Sequence, residues 1–428
     1  MTGTRGAALL SELYRGTLAA LSGQRLVRAA LSQTPIPALR VRILGLGKAA
    51  CGMAQGAAEG LRVEFSGVLA THELTPHPRG LDVFVGDHPI PSVASARAGQ
   101  ALLDAARATQ PEDFALFLVS GGGSAIAALP VEGLSMADVA ATTAALLHSG
   151  ASIDEINTVR AHLTQLGGGR LAASCRANHG LVLMLSDIAS GQLSTLASGP
   201  TLANATSPAE ALGVIERSGA LVPSAVIDSL RRAPIASPSG EDVRSRRRRH
   251  RVLATPHTLA EEARCQAETR GLTPHVVASA FDGDFESLAS LLVERAREIS
   301  SDPSGQPTLL IASGEPRLNL PTERGSGGRM QQLALTLAHA LAGRDVCALC
   351  AGSDGRDGST AFAGARIDGS TSARAQAMGI DLALVLERFD ATPAVRSLGV
   401  GIDRFQSATN LTDLALVLLW PSRLERSP

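Results

Sequence analysis

A single lysine stands in a glycine-containing loop of this chain. Lys48 is the only lysine among the 39 basic residues, and it lies in the segment Gly45-Leu46-Gly47-Lys48 after an apolar run. Arginine does not replace a compact ammonium group well at a phosphate oxygen, so one retained lysine indicates a functional cation. The spacing is not that of a Walker A loop. We therefore predict an anion contact here, and an accidental surface lysine is the alternative.

Three consecutive glycines follow a second apolar run. A tight turn between a strand and a helix seldom needs three of them, because each glycine costs conformational entropy on folding. Backbone N–H groups in such a loop can approach a phosphate or carboxylate closely. The loop predicts phosphate or substrate binding by Ser120, Gly121, Gly122, Gly123 and Ser124.

A third loop joins Gly314-Glu315 to the glycine-rich segment that ends in Arg329. An arginine at a glycine-rich helix start can clamp a carboxylate or a phosphoryl group. We therefore include Arg329 among the predicted catalytic residues, and Glu315, Gly327 and Gly328 among the predicted binding residues. A surface cap of the helix is the alternative reading of Arg329.

A fourth loop, at residues 351–358, carries Asp354 and Asp357 after an apolar run. Carboxylates of this kind are the hard oxygen ligands that magnesium prefers, although aspartates in glycine-rich loops are also common turn formers. Asp187 follows another apolar run and is a further candidate carboxylate. Phosphoryl transfer needs metal-binding carboxylates, cations on the phosphates and a group that orients the attacking hydroxyl.

The elements that must position these loops alternate between strand and helix patterns. Repeated strand, loop and helix favours an α/β fold with a parallel sheet, in which ligands bind at the carboxyl ends of the strands. The predicted strands include Val41–Leu46, Phe114–Val119, Gly180–Leu185, Val252–Ala254, Thr308–Ala312, Val346–Ala351 and Leu414–Leu419.

Composition divides the chain in two. Composition shifts over residues 235–251, first to Pro, Ser and Gly and then to a run of Arg, and we interpret residues 239–251 as a solvated linker between domains at 1–238 and 252–428. A nucleic-acid patch is the alternative for this arginine run. A net charge of −1 and only 3% aromatic residues argue against nucleic acid as a partner.

The sequence also argues against a membrane protein and against a zinc or redox site at the cysteines. No run of about 18 apolar residues is present, so we expect no membrane span. The first residues lack the apolar core of a signal peptide, and we expect a cytoplasmic protein. The five cysteines include one C-x-x-C, at Cys347 and Cys350, without the further ligands that zinc needs. We interpret these cysteines as core thiols of a reducing compartment.

Taken in order, the loops resemble the class II glycerate 2-kinase family, with its C-terminal MOFRL domain. The resemblance spans almost the whole chain. The matching segments are GLGKAACGMA (45–54), GDHPIP (86–91), VSGGGSA (119–125), INTVRAHLTQLGGGRLA (156–172), SDI (186–188), SGPT (198–201), GSGGRMQQLAL (325–335), AGSDGRDGSTAFAGA (351–365) and TNLTDL (409–414).

The resemblance implies a large Rossmann-like N-terminal domain, a smaller C-terminal α/β domain and an active-site cleft between them. It implies transfer of the γ-phosphoryl of ATP to the 2-hydroxyl of D-glycerate, with Mg²⁺ and without nucleic acid or membrane, in a monomer or homodimer. By position, Lys48, Arg329, Asp354 and Asn410 match residues expected to line the cleft. Asp187, the glycines 121–123 and Arg160 belong to the adjoining family segments.

The chain departs from the family pattern at residues 161, 167, 316, 330–332 and 405–408. These departures favour, as one alternative, a kinase for another small hydroxy acid or polyol. A non-catalytic member that binds nucleotides or anions is a second alternative. A hydroxypyruvate reductase is a third, although no G-x-G-x-x-G with an acidic residue about 20 positions later is evident.

Overall fold

The computed structural model describes residues 2–233, 238, 247–300, 306–318 and 324–420. The chain divides into two compact units. The first unit gathers residues 22–253 and 408–410, and the second gathers residues 1–21, 254–407 and 411–428. Each unit has a six-stranded sheet of its own, and each is described separately below.

Six strands form the sheet of the first unit: β1 (Arg40–Leu46), β2 (Glu64–Thr71), β3 (Leu81–Val85), β4 (Phe114–Ser120), β5 (His179–Leu185) and β6 (Arg248–Ala254). Their order across the sheet is β3-β2-β1-β4-β5-β6, and β1 to β5 run parallel. This order is that of Rossmann folds, and it reverses direction between β1 and β4. Because Leu46 pairs with Val119 and Ser120 with Leu185, β1, β4 and β5 end at the same edge.

Helices cover this sheet and are numbered along the whole chain after α1 (Thr2–Ala20), which belongs to the second unit. Those of the first unit are α2 (Gly23–Ser32), α3 (Ala50–Gly60), α4 (Val93–Arg107), α5 (Gly123–Ile126), α6 (Met136–His148), α7 (Ile153–Leu163), α8 (Arg170–Ser174), α9 (Pro208–Ser218) and α10 (Ser224–Arg232). Serine capping boxes begin four of them, α4, α6, α7 and α9, and satisfy N–H groups that a helix start leaves free.

Small side chains fill the core of this unit, as the low aromatic content predicts. All seven residues of β4 are buried, which is typical of a central parallel strand covered on both faces. Ala98 and Ala106 of α4 pack into the same cluster as Phe117 and Val119 of β4. A separate apolar cluster joins α6, α7, α9 and α10. The helix α7 therefore packs against these three helices.

The buried imidazole of His162, on α7, makes folding sensitive to acid. Burial, followed by the charge of Arg170, lowers the pKa of His162 from 6.5 to about 4. A folded-state pKa below the unfolded one gives stability that is present above pH 6.5 and lost as the pH falls toward 4. We expect His162 to remove about 3 kcal/mol of unfolding free energy over this range.

Urea unfolding at pH 7, 5.5 and 4.5 checks this expectation. His162→Gln keeps a hydrogen-bonding amide beside Thr206 and Asn204, the present partners of the ring. The variant should lose less stability than wild type on acidification, whereas His148→Gln, at an exposed histidine, should behave like wild type. Equal acid sensitivity of His162→Gln and wild type would contradict the expectation.

The second unit has a mixed sheet of β7 (Thr273–Phe281), β8 (Thr308–Gly314), β9 (Val346–Gly352), β10 (Phe362–Asp368), β11 (Gly401–Asp403) and β12 (Asp413–Leu419). The order is β11-β10-β9-β12-β8-β7, and only the β7–β8 pair is parallel. Asp413, the first residue of β12, lies opposite Gly314 and Gly352, the last residues of β8 and β9. The amino end of β12 therefore lies at the edge where β8 and β9 end.

The helices of this unit pack with α1 around the second sheet. They are α11 (Pro256–Glu268), α12 (Phe285–Ser300), α13 (Arg329–Ala340), α14 (Thr371–Ala377), α15 (Leu382–Glu387) and α16 (Ala391–Leu398). Leucines and alanines of α12 and α13 form one apolar cluster with inward side chains of β8, β9, β10 and β12. The strands predicted before the third and fourth loops, at Thr308–Ala312 and Val346–Ala351, are confirmed.

The structure differs from the predicted domain boundaries in two places. Residues 248–254 form β6 at the edge of the first sheet, where a solvated linker and the first strand of the second domain were predicted. Arg248 lies over the ring of Phe117 at 5.6 Å and donates hydrogen bonds to the carbonyls of Cys175 and Ala177. The second difference is α1, which groups with the second unit. Residues 239–246 lie outside the described part of the chain.

Throughout the described ranges, no helix has both the length and the apolar character needed to cross a lipid bilayer.

Candidate active site

Lys48 lies in the turn between β1 and α3, where the strand order of the first sheet reverses. The turn is tied to the three-glycine loop that follows β4. The N–H of Lys48 donates to the carbonyl of Gly121 at 3.0 Å, and the N–H of Ala49 donates to Oγ of the buried Ser120 at 3.0 Å. The first two predicted loops therefore lie side by side at the point where Rossmann folds bind ligands.

Two glycines of these loops have conformations that the site requires. Gly47 has a φ of 116°, and a Cβ there would collide with the backbone of Ser120. Gly122 has a φ of 81°, and a Cβ there would lie 3.2 Å from both Cγ of Lys48 and Cδ2 of His88. The absence of a side chain at Gly122 thus leaves room between Lys48 and His88.

Asp187 and Asn410 meet at the same loop. The amide of Asn410 donates to Oδ2 of Asp187 at 3.1 Å. A Cβ on Gly121 would overlap the carboxylate of Asp187 and would also press on the amide of Asn410. Gly121 is therefore a glycine because these two polar side chains approach its backbone closely. The first unit brings together, among the predicted site residues, Lys48, Ser120, Gly121, Gly122, Asp187 and Asn410.

Ser124 and Gly123 face inward at the end of this loop. The hydroxyl of Ser124 is hydrogen-bonded to that of Ser198, and both side chains are buried. Ala197 packs against Gly123, and both Ala197 and Ser198 have left-handed backbone angles, with φ of 50° and 59°. Such angles are strained for residues other than glycine and cluster at functional sites.

Arg160, predicted to bind substrate or phosphate, has protein partners in the structure. It lies on α7, is 5% exposed, and donates to the carbonyl of Pro89 at 2.7 Å and to Oγ1 of Thr143 at 3.4 Å. Burial lowers the pKa of Arg160 to about 10, so the guanidinium is charged at neutral pH. Its direct contact with substrate stays a prediction.

In the second unit, Arg329 begins α13 and is held on three sides. Its Nε donates to Asp413 at 2.7 Å, its Nη1 donates to the carbonyl of Pro316 at 3.3 Å, and its Nη2 lies 3.7 Å from Glu315. The side chain remains 29% exposed. Although burial acts to lower it, Asp413 and Glu315 raise the pKa of Arg329, which therefore carries a permanent positive charge.

Asp413 is a site residue that the sequence analysis missed. Burial, and then the neighbouring carboxylates of Glu315, Asp357 and Asp354, raise the pKa of Asp413 to about 7, against the opposing effect of Arg329. Tyr14 was missed as well, although it is the only tyrosine in the sequence. Its hydroxyl donates to the carbonyl of Gly352, at the end of β9, at 2.6 Å.

Asp357, a predicted magnesium ligand, caps the start of α13. Its buried carboxylate accepts hydrogen bonds from the N–H groups of Met330 and Gln331 at 3.0 and 2.8 Å, and from Nε2 of Gln331 at 2.9 Å. A Cβ on Gly328 would collide with this carboxylate, which explains that glycine. Gly327 precedes it and is exposed. Both oxygens of Asp357 are thus engaged, and its metal role stays a prediction.

Asp354 is the half-buried carboxylate of the fourth loop. Its Oδ1 accepts a hydrogen bond from the N–H of Arg356 at 3.0 Å. In the described part of the chain, no three His, Cys, Asp or Glu side chains are grouped so that they could hold a metal. Kinases, however, hold Mg²⁺ through one or two carboxylates together with substrate phosphates and water. The chemistry of Asp354 fits that arrangement.

The predicted residues are thus gathered in two places. Lys48, Asp187 and Asn410 meet in the first unit, and Arg329, Glu315 and Asp357 meet in the second. The prediction that both groups converge on one pocket stays a prediction.

Comparison with known proteins finds two family domains in this chain and relatives that match most of its length. Residues 9–231 match the domain of unknown function DUF4147, and residues 308–413 match the MOFRL family. A D-glycerate 2-kinase of Thermotoga maritima is 31% identical, covering 96% of this chain and 98% of that protein. A putative hydroxypyruvate reductase of Agrobacterium vitis is 32% identical, covering 89% of this chain and 99% of that protein.

The fold is shared as well. The crystal structure of a glycerate kinase from Thermotoga maritima superposes with a TM-score of 0.82, at 30% sequence identity, over 97% of this chain and all of that one. The expected α/β architecture is confirmed in both units. The chain therefore belongs to the glycerate 2-kinase family of class II architecture, in which a DUF4147 domain precedes a MOFRL domain.

Proposed function

We propose that this chain uses ATP to phosphorylate the 2-hydroxyl of D-glycerate, giving 2-phosphoglycerate and ADP. The observation that carries the proposal is the position of the sole lysine, beside a three-glycine loop at the strand-order reversal of a Rossmann-like sheet. Membership of a family that contains D-glycerate 2-kinase supports the reaction class and the acceptor.

We infer the mechanism from the charges of the predicted site residues. The 2-hydroxyl oxygen attacks the γ-phosphorus, its proton passes to a carboxylate, and ADP leaves. Lys48 neutralises the charge of the migrating phosphoryl group, and the catalytic role of Arg329 stays a prediction. Asp187, which lies at the three-glycine loop, accepts the proton. Positioning and charge neutralisation of this kind supply most of what phosphoryl transfer requires.

Magnesium is part of the proposal. Asp354 is the residue that would hold it, since this carboxylate is half-buried and suits a hard cation. Held by Asp354, Mg²⁺ would supply positive charge that offsets the negative charge of the phosphates.

Three of the departures from the family pattern fall on packing positions. Met330 is 1% exposed in the apolar cluster of the second unit, and Ala161 is 4% exposed on α7. Gln332 is 5% exposed and donates to the carbonyl of Leu386 at 2.8 Å. Changes at buried positions alter packing before they alter substrate contacts. These three departures therefore give little support to the alternative that the substrate is another hydroxy acid or a polyol.

The test is ADP release from the purified protein with ATP, Mg²⁺ and a panel of acceptors. We expect turnover with D-glycerate well above that with L-glycerate, other hydroxy acids or polyols, and ³¹P NMR should identify 2-phosphoglycerate. Preferential turnover of another acceptor would replace D-glycerate. If no acceptor is phosphorylated, calorimetry with a non-hydrolysable ATP analogue decides whether the chain is a non-catalytic nucleotide-binding member.

Hydroxypyruvate reduction is a second candidate, favoured by the name of the Agrobacterium vitis relative. The spacing of Gly45, Gly47 and Ala50 also fits the alanine form of the dinucleotide fingerprint. However, β2 ends in Thr71 and not in an acidic residue, and Glu64 lies at the opposite end of the strand. Oxidation of NADH or NADPH with hydroxypyruvate tests this candidate, and we expect none.

A further inference from the structure

Arg160 is a buried charge on α7. Only 5% of it is exposed, and in the described ranges it forms no ion pair with a carboxylate. A buried guanidinium that lacks a paired anion destabilises the fold, since desolvation is not offset by charge attraction. We expect such a group where its charged hydrogen bonds fix a part of the structure that a neutral side chain would hold less firmly.

The strong hydrogen bond of Arg160 goes to the loop that carries His88. Its Nη2 donates to the carbonyl of Pro89 at 2.7 Å, and a bond from a charged donor is stronger than a neutral one. On the other side of His88, the N–H of Asp87 donates to Oγ of Ser95 at 3.0 Å. The N–H of Gly86 donates to the carbonyl of Thr71 at 2.8 Å. The backbone is thus fixed on both sides of His88.

His88 lies at the three-glycine loop. Its Cδ2 and the Cγ of Lys48 are equally far, 3.2 Å, from the place that a Cβ of Gly122 would take. The two side chains therefore both approach Gly122, and an imidazole at this loop can hydrogen-bond an anionic oxygen.

The same helix also braces the other side of the loop. One turn before Arg160, the amide of Asn157 donates to the carbonyl of Thr195 at 3.1 Å. Thr195 precedes the strained residues that include Ser198, whose hydroxyl bonds to Ser124. α7 thus supports the glycine loop through two separate segments, and Arg160 supplies one of the contacts.

We propose that Arg160 is a positioning residue that holds His88 beside Gly122, where His88 contacts an anionic oxygen of a substrate. This role replaces the predicted direct contact of Arg160 with substrate, and it rests on the proposed function. The oxygen belongs either to the carboxylate of the acceptor or to a phosphoryl group of ATP. Both sources share the chemistry of a hydrogen bond to an anion.

A double-mutant cycle on the full-length protein tests the proposal. The variants are His88→Ala, Arg160→Met and the double variant, with the KM for each substrate and kcat measured by ADP release. We expect each single variant to lose about 100-fold in kcat/KM, the size of effect that a misplaced contact produces. We expect the double variant to lose no more than about 3-fold beyond the larger single loss, because both changes remove one contact.

The KM values identify the source of the oxygen. A raised KM for D-glycerate in both single variants assigns it to the acceptor, and a raised KM for ATP in both assigns it to the nucleotide. Different KM signatures in the two variants would overturn the link between Arg160 and His88. Losses that multiply, to about 10⁴-fold in the double variant, would overturn it as well.

Two controls keep the outcome interpretable. His148→Ala changes an exposed histidine on α6, and its combination with Arg160→Met should match Arg160→Met alone. If Arg160→Met does not fold, as judged by circular dichroism and Tm, Arg160→Lys takes its place in the cycle. Lack of activity in the wild-type protein would refute the proposed function, whereas independent losses in an active protein refute only the role of Arg160.

Discussion

Replacing Lys48 with alanine is expected to lower kcat by about 10³-fold, the size of loss seen when one charge-stabilising group leaves a preorganised site. The protein should stay folded, because backbone N–H groups hold the turn: that of Lys48 donates to the carbonyl of Gly121, and that of Ala49 donates to Oγ of Ser120. ADP release measures the loss, and Tm measures the fold. Turnover within about 3-fold of wild type would refute the catalytic role of Lys48.

A chemical rescue distinguishes the ammonium group from the mere presence of a side chain. Lys48→Cys, in a Cys265→Ser background that removes the exposed cysteine, can be alkylated with 2-bromoethylamine to restore an amine at nearly the original position. We expect alkylation to recover a large part of kcat. Lys48→Arg should stay impaired by at least about 10-fold, because a planar fork does not replace a compact charge. Full activity of Lys48→Arg would show that any cation suffices.

The first unit was largely predictable because its strands are parallel. Apolar runs ending in Lys48, Ser120 and Asp187 are easily recognised, and parallel strands bring their carboxyl ends to one edge. The contact of Asn410 with Asp187 was not derivable from periodicity, since 223 residues separate the two. The family resemblance assigned Asn410 to the cleft and Asp187 to an adjoining loop, but it did not predict their contact.

In the second unit, the direction of the strands limited the prediction. The predicted carboxylates all follow strands, which is the arrangement that a parallel sheet favours. β12 runs antiparallel to β8 and β9, so its first residue, Asp413, reaches the same edge from the opposite direction. Strand direction depends on pairing between distant segments, and hydrophobic periodicity does not encode it. The acidic residue inside the TNLTDL segment was the available signal.

The high arginine content of residues 239–251 predicted a solvated linker, whereas the structure has the strand β6 from Arg248 onward. Arg248 is a strand residue whose guanidinium lies on Phe117 and bonds to two carbonyls. The aliphatic part of an arginine packs on apolar surface, so a run of arginines does not exclude a strand at a sheet edge.

His88 was missed for a different reason. Its loop was recognised as a family segment, but its contact with Gly122 is visible only in three dimensions.

Gly121→Ala is expected to damage both stability and catalysis, and it probes the close packing of the site directly. The added methyl group would overlap the carboxylate of Asp187 and press on the amide of Asn410. Overpacking of this kind costs about 1–3 kcal/mol of unfolding free energy. The loop must shift, and Lys48 shifts with it because its N–H bonds to the carbonyl of Gly121. We expect kcat/KM to fall by about 10²- to 10³-fold, since small misplacements are costly in catalysis.

Gly213→Ala is the matched control, because Gly213 lies inside α9 and an added Cβ would meet only the end of the flexible Arg217 side chain, at 3.1 Å. Alanine is the better helix former by about 1 kcal/mol, so this variant should be at least as stable as wild type and equally active. Urea unfolding and ADP release measure both quantities for both variants. Wild-type activity in Gly121→Ala would mean that Asp187 and Asn410 can separate without harm, and that their contact at the glycine loop has no part in catalysis.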